Sequence, residues 1–544
     1  MSRRLPFTAA FCAMLLTSLC LGVAGVRAAS HPDATKDFHT SDRCVACHNG
    51  LKTSSGEDIS IGFQWEASIM ANSARDPYWQ GSVRRESIDH PESSATVQDE
   101  CSTCHMPMQH LIDRAEGKKT EVFDRLPLSD PHKKDNSQAK DGVSCSVCHQ
   151  IEAAGLGTSQ TYSGNVAVAS PNDRNNRPEY GPFLIDAGHT RVMQSSTAGF
   201  VPTQAAHIRD SGLCGSCHTL YTTARGPGGK AIGVLPEQMP YLEWLHSDYP
   251  NRNTCQGCHM PEVQGAVAVT AVFGQPREGM HRHVFVGGNF LMERMLIAHR
   301  DELAVAALPT ELDAATNRTE EFLRTQSAKV TISALSKSPS GLEFDVNVEN
   351  LTGHKLPTAY PSRRAWLHVL VEDGNGQKVF ESGALKSDGS IVGNDNDADP
   401  LRFEPHYNEI TDAQQVEIFE SIMGDAEGHV TTGLLSAIGY LKDNRLLPTG
   451  FDKKTAVHDI AVVGEAVADP NFTGGSSRTR YAVKAAPATG PLHIVAELWY
   501  QPVGYRWAHN LAPYNAAEPQ RFVSYYEQEA GQSALELAKA EATF

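Results

Sequence analysis

Ten of the twelve cysteines fall into five pairs, each pair spaced by two residues and each followed at once by histidine. The runs are Cys44-Val-Ala-Cys47-His48, Cys101-Ser-Thr-Cys104-His105, Cys145-Ser-Val-Cys148-His149, Cys214-Gly-Ser-Cys217-His218 and Cys255-Gln-Gly-Cys258-His259. C-x-x-C-H is the attachment signature of c-type haem. Two thiols must meet the two vinyl groups of one porphyrin, which this spacing permits on a single helical turn. The next histidine then supplies the proximal nitrogen to iron. Zinc also accepts Cys and His ligands, and an exported protein can keep disulfides. Zinc ribbons use their cysteine pairs in twos, whereas five is odd, and neither alternative requires a histidine after every second cysteine. The motifs therefore predict five covalently attached haem c groups, with His48, His105, His149, His218 and His259 as proximal ligands.

The other two cysteines, Cys12 and Cys20, lie in an N-terminal segment of a different kind. Arg3 and Arg4 precede an apolar run from Thr8 to Val26, and Val26-Arg27-Ala28 suits cleavage. Residues 1–28 read as a secretory signal peptide, which predicts a periplasmic, extracellular or outer-surface protein. No later stretch is long and apolar enough to span a membrane, so no stable membrane span is expected after cleavage. The 47 Lys and Arg residues against 64 Asp and Glu give a net charge of −17. Nucleic acid is excluded as a partner, because phosphate binding needs clustered cations.

From residue 29 to 326 the chain has roughly 50 residues per motif, with loop-forming Gly, Pro, Asn and Asp between them. That is too little sequence for five separate cores, so the haems are expected to share one interior. Phe290–Leu308 reads as a helix closed by Pro309. From residue 327 to 544 there is no cysteine. AKVTISALS, LEFDVNVEN, AWLHVLVED, GQKVFESG and LHIVAELWYQ read as strands with turn signals between them. This half is expected to be an antiparallel β-sandwich of immunoglobulin-like size, with SALELAKAEA as a short closing helix. The fold class is α+β: a loop-rich, mainly helical multihaem domain followed by a β-sandwich domain.

The sixth ligand of each iron decides what the protein can do. Histidine on both faces gives a low-potential relay, methionine raises the potential, and an open face can bind a substrate. Here the residues carry a resemblance. Cys-His-Met-Pro follows at His105-Met106-Pro107 and His259-Met260-Pro261, and Tyr241-Leu242-Glu243-Trp244 precedes the fifth motif. His283-Val284-Phe285-Val286-Gly287-Gly288 is similar to an H-x-F-x-G element, and Thr352-Gly353-His354-Lys355-Leu356-Pro357-Thr358 to a T-G-H-K-x-P-T element. The chain thus resembles the multihaem c-type cytochromes of bacterial envelopes, in the nitrite-reductase and hydroxylamine-oxidoreductase-like superfamily. That resemblance implies His283 as a distal ligand and His354 as one brought from the β-rich half. His207, seven residues before Cys214, stands beside His283 as a leading candidate; His90 and His110 follow, with His39, His132, His189 and His246 behind them. Ammonia-forming nitrite reductases carry lysine in one motif, whereas all five motifs here end in histidine. This argues against that route.

Two features remain. Gly393-Asn394-Asp395-Asn396-Asp397-Ala398-Asp399 gathers oxygen atoms, as a solvated acidic turn or as a calcium site. Arg363 and Arg364 are placed to meet haem propionates or solvent. No nucleotide-binding or serine-hydrolase motif occurs. The expected function is electron transfer along closely packed haems, with redox proteins as partners. The alternatives are a haem oxidoreductase acting on a small nitrogen or sulfur oxyanion at one open iron, and a homo-oligomer or extracellular haem filament.

Overall fold

A computed structural model describes residues 37–133, 136–169, 175–338, 341–484 and 490–544. The expected signal peptide, residues 1–28, lies outside the described residues. Every motif sits on a helical turn or at the end of one. Asp42–His48 and Ser94–His105 contain the first two, while Cys145–Cys148, Ser211–Gly215 and Cys255–His259 begin or contain the rest. Between them run loops and four strands: β1 (Arg177–Gly181) parallel to β2 (Phe200–Gln204), and β3 (Leu220–Arg225) antiparallel to β4 (Ala231–Gln238).

The expected helix from Phe290 stops at Ala298, and Pro309 opens the next helix, Pro309–Gln326. Proline suits a first helical position, where the missing N–H has no partner to lose. Phe290, Leu291, Met292, Met295 and Leu296 are all buried, so this short helix is enclosed by its neighbours and has no amphipathic face to extend.

From Ala328 long strands take over: β5 (Ala328–Ser338), β6 (Gly341–Asn350), β7 (Arg364–Glu372), β8 (Lys378–Ser382), β9 (Glu409–Ile410), β10 (Ile418–Asp425), β11 (Val430–Thr431), β12 (Ala437–Asp443), β13 (Ser476–Val483), β14 (His493–Gln501) and β15 (Leu535–Thr543). One sheet has the order β5-β6-β13-β9. The other runs β11-β10-β7-β14-β15, with β12 also paired to β10 and β8 to β7. Alternate residues of β6 and β13 turn inward, among them Phe344 and Tyr481, whose rings stack 5.2 Å apart. Phe380 on β8 meets Tyr481 edge-on at 6.2 Å, joining the two sheets. The sandwich is larger than an immunoglobulin domain, which has about seven strands. The excess comes from β9 to β12, and β12 of this group packs on β4 of the motif-bearing half.

The expected closing helix is instead β15, antiparallel to β14 along its whole length. Its Ala, Glu and Lys residues favour a helix, but Leu535 and Leu537 alternate into the core, and a strand edge was available to pair with. Tertiary pairing outweighs a propensity worth a few tenths of a kcal/mol per residue, roughly. A helix that sequence periodicity did not reveal, Ala517–Glu529, leaves the β half and lies on Pro77–Asp89. There Glu518 takes Arg84 in a two-point pair at 2.8 Å, and Phe522 packs against Tyr78. The two halves therefore share one apolar core that includes Phe290, Leu291, Tyr500 and Phe522.

The acidic loop that could have taken calcium is occupied by arginines. Arg364 reaches both carboxylate oxygens of Asp397, at 2.7 and 3.0 Å, and Asp395 pairs with Arg402. Among the described residues no group of three or more His, Cys, Asp or Glu is arranged to hold a metal ion. Arg364 is thereby a buried anchor of β7 and not a surface or propionate partner.

The β half also encloses a histidine between two carboxylates. His406 is held between Glu417 (Nδ1 to Oε1, 2.8 Å) and Asp469 (Nε2 to Oδ2, 3.0 Å), all three side chains being 1% exposed or less. Burial alone would lower its pKa, but Glu417 and then Asp469 outweigh that effect and raise it above the usual value. Its contribution to stability is complete below the unfolded value of about 6.5 and is lost as pH rises through the folded one. His406→Ala leaves two buried carboxylates without their cation and is expected to cost about 3 kcal/mol or more in chemical denaturation at pH 6. A loss below about 1 kcal/mol would show that the carboxylates find other partners.

Candidate haem cavity

The five motifs converge on one continuous cavity of about 2200 Å³. This exceeds the range of about 300–1,000 Å³ typical of a site for one small molecule. All ten motif cysteines and all five motif histidines line it. The cysteines also report which motifs are neighbours. Cys44 lies beside Cys145, Cys104 beside Cys217, and Cys214 beside Cys255, while Cys148 is close to Cys217. The fourth motif therefore adjoins the second, third and fifth, and the first reaches the group through the third.

Local sequence explains several of these placements. Motif four carries Gly215, where a β-carbon would come within 2.6 Å of the Tyr241 ring. Glycine is what lets the Pro240–Leu245 helix lie against the motif. Asp210 caps the helix of motif four through the Gly212 amide, and Thr254 caps that of motif five through the Gly257 amide.

Four of the five motif histidines are oriented through Nδ1. His48 donates to the Val269 carbonyl at 2.6 Å, His105 to Ser73 at 2.8 Å, His149 to Tyr180 at 2.5 Å and His259 to Val286 at 2.6 Å. A carbonyl can only accept, so the proton is on Nδ1 and the Nε2 lone pair is free for a metal. Burial lowers the pKa of all five, to about 4 for His105 and His218. The neutral imidazole is the form that binds a metal. His105 is further fixed by Trp79, stacked 4.4 Å away with the ring planes 3° apart.

Two of the expected distal histidines face motif histidines. His283 lies opposite His149 with ring centroids 6.4 Å apart and planes at 19°. His354 lies opposite His259 at 6.3 Å and 11°. Two imidazoles bound across one metal, with bonds of about 2.0 Å each, have ring centroids about 6 Å apart. Burial takes His283 down to about 3 and His354 to about 4, so both are neutral.

The remaining candidates are placed otherwise. His207 Nε2 lies 2.8 Å from the Ile151 carbonyl, and His39 Nε2 2.8 Å from that of Thr197. His110 is held by Asp99, Ser102 and Thr103 on the helix of motif two. His90 lies beside Glu86 and Ser436. None of these four lines the cavity, nor do His132 and His246. His189 lines it, but its Nδ1 pairs with Asp186 and its Nε2 lies 3.0 Å from the Phe273 carbonyl. His281 also lines the cavity, with Nδ1 on the Met260 carbonyl at 2.5 Å. Sequence reasoning missed it, although His281 and His283 alternate on an extended segment and so share one side.

These residues fit haem c. The thiols come in pairs of attachment spacing, the imidazoles are neutral with Nε2 free, and two histidine pairs stand at metal-bridging separation. Polar atoms on the cavity wall, among them Glu179 Oε1, Asn289 Oδ1, Glu293 Oε2 and Arg318 Nε, are buried without a hydrogen-bond partner in the protein. Propionates and ordered water are groups that could satisfy such atoms.

Helical turns bearing repeated C-x-x-C-H around one cavity, closed by a β-sandwich, make an architecture of the multihaem cytochrome kind. The same fold occurs in a solved penta-haem cytochrome c552 from Thermochromatium tepidum. The likeness has a TM-score of 0.50 at 15% identity and covers 94% of this chain and 100% of that one. No family model and no curated protein matches the sequence.

In the purified ferric protein, His283→Ala is expected to turn one low-spin haem high-spin. His207→Ala, outside the cavity, is expected to leave the electron paramagnetic resonance (EPR) spectrum unchanged. The reverse pattern would exchange their roles.

Proposed function

We propose that the chain is an exported pentahaem c-type cytochrome that passes electrons between redox partner proteins in respiratory or extracellular electron transfer. The observation that carries this reading is the single cavity on which all five motifs converge. Cys44, Cys47, Cys101, Cys104, Cys145, Cys148, Cys214, Cys217, Cys255 and Cys258 would hold five haems by thioether bonds. The five motif histidines would be the proximal ligands, with His283 and His354 completing the third and fifth sites. When bound, haem supplies one-electron chemistry between ferric and ferrous iron. The chain orients His48, His105, His149 and His259 through backbone carbonyls, keeps all five motif imidazoles neutral by burial, and brings neighbouring motifs side by side. The fourth motif, touching three others, becomes a junction in the path. The Arg3, Arg4 and Thr8–Val26 pattern supports export to the periplasm or cell exterior.

Haem quantification by pyridine haemochrome, with the mass of the intact purified protein, tests this directly. Five haems per chain are expected, all reducible by dithionite. Fewer than five would refute the assignment of every motif.

One observation favours a second activity at the same site. Among the described residues, histidine pairs at metal-bridging separation involve only His149 and His259. Around His218 the cavity wall carries Arg363, near enough to lower the pKa of that imidazole, and Arg363 also acts on Asp76 on the same wall. Tyr78 and Tyr360 line the same wall, their rings edge-on 5.8 Å apart. Cationic and hydroxyl donors beside an open iron would suit reduction or oxidation of a small nitrogen or sulfur oxyanion. Adding cyanide or nitrite to the ferric protein separates the readings. A ligand-sensitive high-spin haem supports the enzyme, whereas five indifferent low-spin haems leave a relay alone.

A further inference from the structure

The loop that carries His354 is held by a buried network of four charges. Lys355 Nζ contacts Asp443 Oδ2 at 2.7 Å with neither side chain more than 3% exposed. Arg445 grips the same carboxylate at two points, 2.9 and 2.7 Å, and its Nη1 lies 3.0 Å from Glu243 Oε1. Glu243 closes the circuit back to the loop. Its Oε2 accepts the Lys355 amide at 3.1 Å and the Thr358 hydroxyl at 2.5 Å. The two cations and two anions balance.

Such a network is a costly way to obtain stability. Desolvating buried ions offsets most of their attraction, and apolar replacements of similar volume are often as stable. What it supplies is geometry, and the geometry here converges on a ligand pair. Asn350 Nδ2 and Thr352 Oγ1 hold the His354 carbonyl at 2.9 and 2.8 Å, and the Lys355 amide on the next residue goes to Glu243. Glu243 belongs to the Pro240–Leu245 helix, whose Trp244 Nε1 donates to the Asn253 carbonyl at 3.2 Å. Asn253 Nδ2 in turn lies 3.2 Å from Cys258 Sγ in motif five. One helix therefore references both His354, on the β half, and the motif that carries His259.

We propose that Lys355, Asp443, Arg445 and Glu243 form a positioning device that sets His354 opposite His259 and so couples docking of the β-sandwich to ligation of the fifth iron. These four are positioning residues and touch no reacting atom. The inference rests on the pentahaem reading, and within it names what decides the state of one haem.

The test uses purified holoprotein carrying His354→Ala, Lys355→Met, Thr358→Val, or Lys355→Met together with His354→Ala. Haem content and ferric EPR are measured for each. His354→Ala is expected to move one haem of five from low-spin to high-spin. Lys355→Met should shift or abolish the same low-spin signal, leave the other haems unchanged, and add nothing on the His354→Ala background. Thr358→Val, which removes only one hydrogen bond, should shift that signal by less. If Lys355→Met does not accumulate as folded protein, Thr358→Val decides the matter. An unshifted signal in the folded variants overturns the proposal, as does an equal disturbance of all haems. A wild-type spectrum in His354→Ala overturns it through the ligand assignment, whereas a haem count below five indicts the pentahaem reading itself.

Discussion

Everything in the first half of this chain is arranged around imidazoles that must be neutral, fixed in rotation and paired with thiols two residues apart. Burial supplies the neutrality, pushing His105 and His218 to about 4 and His283 to about 3. Backbone carbonyls from distant segments supply the orientation: Val269 for His48, Ser73 for His105, Tyr180 for His149, Val286 for His259. Each of these bonds draws a loop against a motif. That explains why a region so poor in regular structure holds its course, and why its apolar clusters are small and scattered around the cavity.

The β-sandwich is more than an appended domain. Its strand β12 lies against β4, its helix Ala517–Glu529 against Pro77–Asp89, and its loop 352–358 against the helix between motifs four and five. Ionic groups recur at these joints: Arg445 with Glu243, Arg84 with Glu518, and Glu86 accepting the Leu434 and Leu435 amides, with Lys355 and Asp443 paired just behind them in the β half. Charges that leave water must be paired with good geometry, so each joint admits one arrangement. The same network that fixes the interface thereby fixes where His354 points.

The motifs and their number were legible in the sequence, because thioether attachment would need its residues adjacent and leave a contiguous signature. The strands from Ala328 were legible too, since half-buried strands alternate. His283 and His354 stood out through a resemblance, and both face motif histidines. His207, His90 and His110 looked equally suitable by residue type and spacing, yet lie outside the cavity. Nothing local distinguishes an imidazole that finds Ile151 or Asp99 from one that faces another imidazole.

What the sequence alone determined is therefore the local chemistry: five C-x-x-C-H turns, an apolar leader pattern, and strand periodicity. Tertiary structure decided the partnerships. It made a strand of Leu535–Thr543 because β14 offered an edge, bound the acidic loop to Arg364 and Arg402, and chose the histidines that meet across the cavity. Those outcomes depend on which distant segments come together, and pairing energy between segments leaves no mark on the residues of either one.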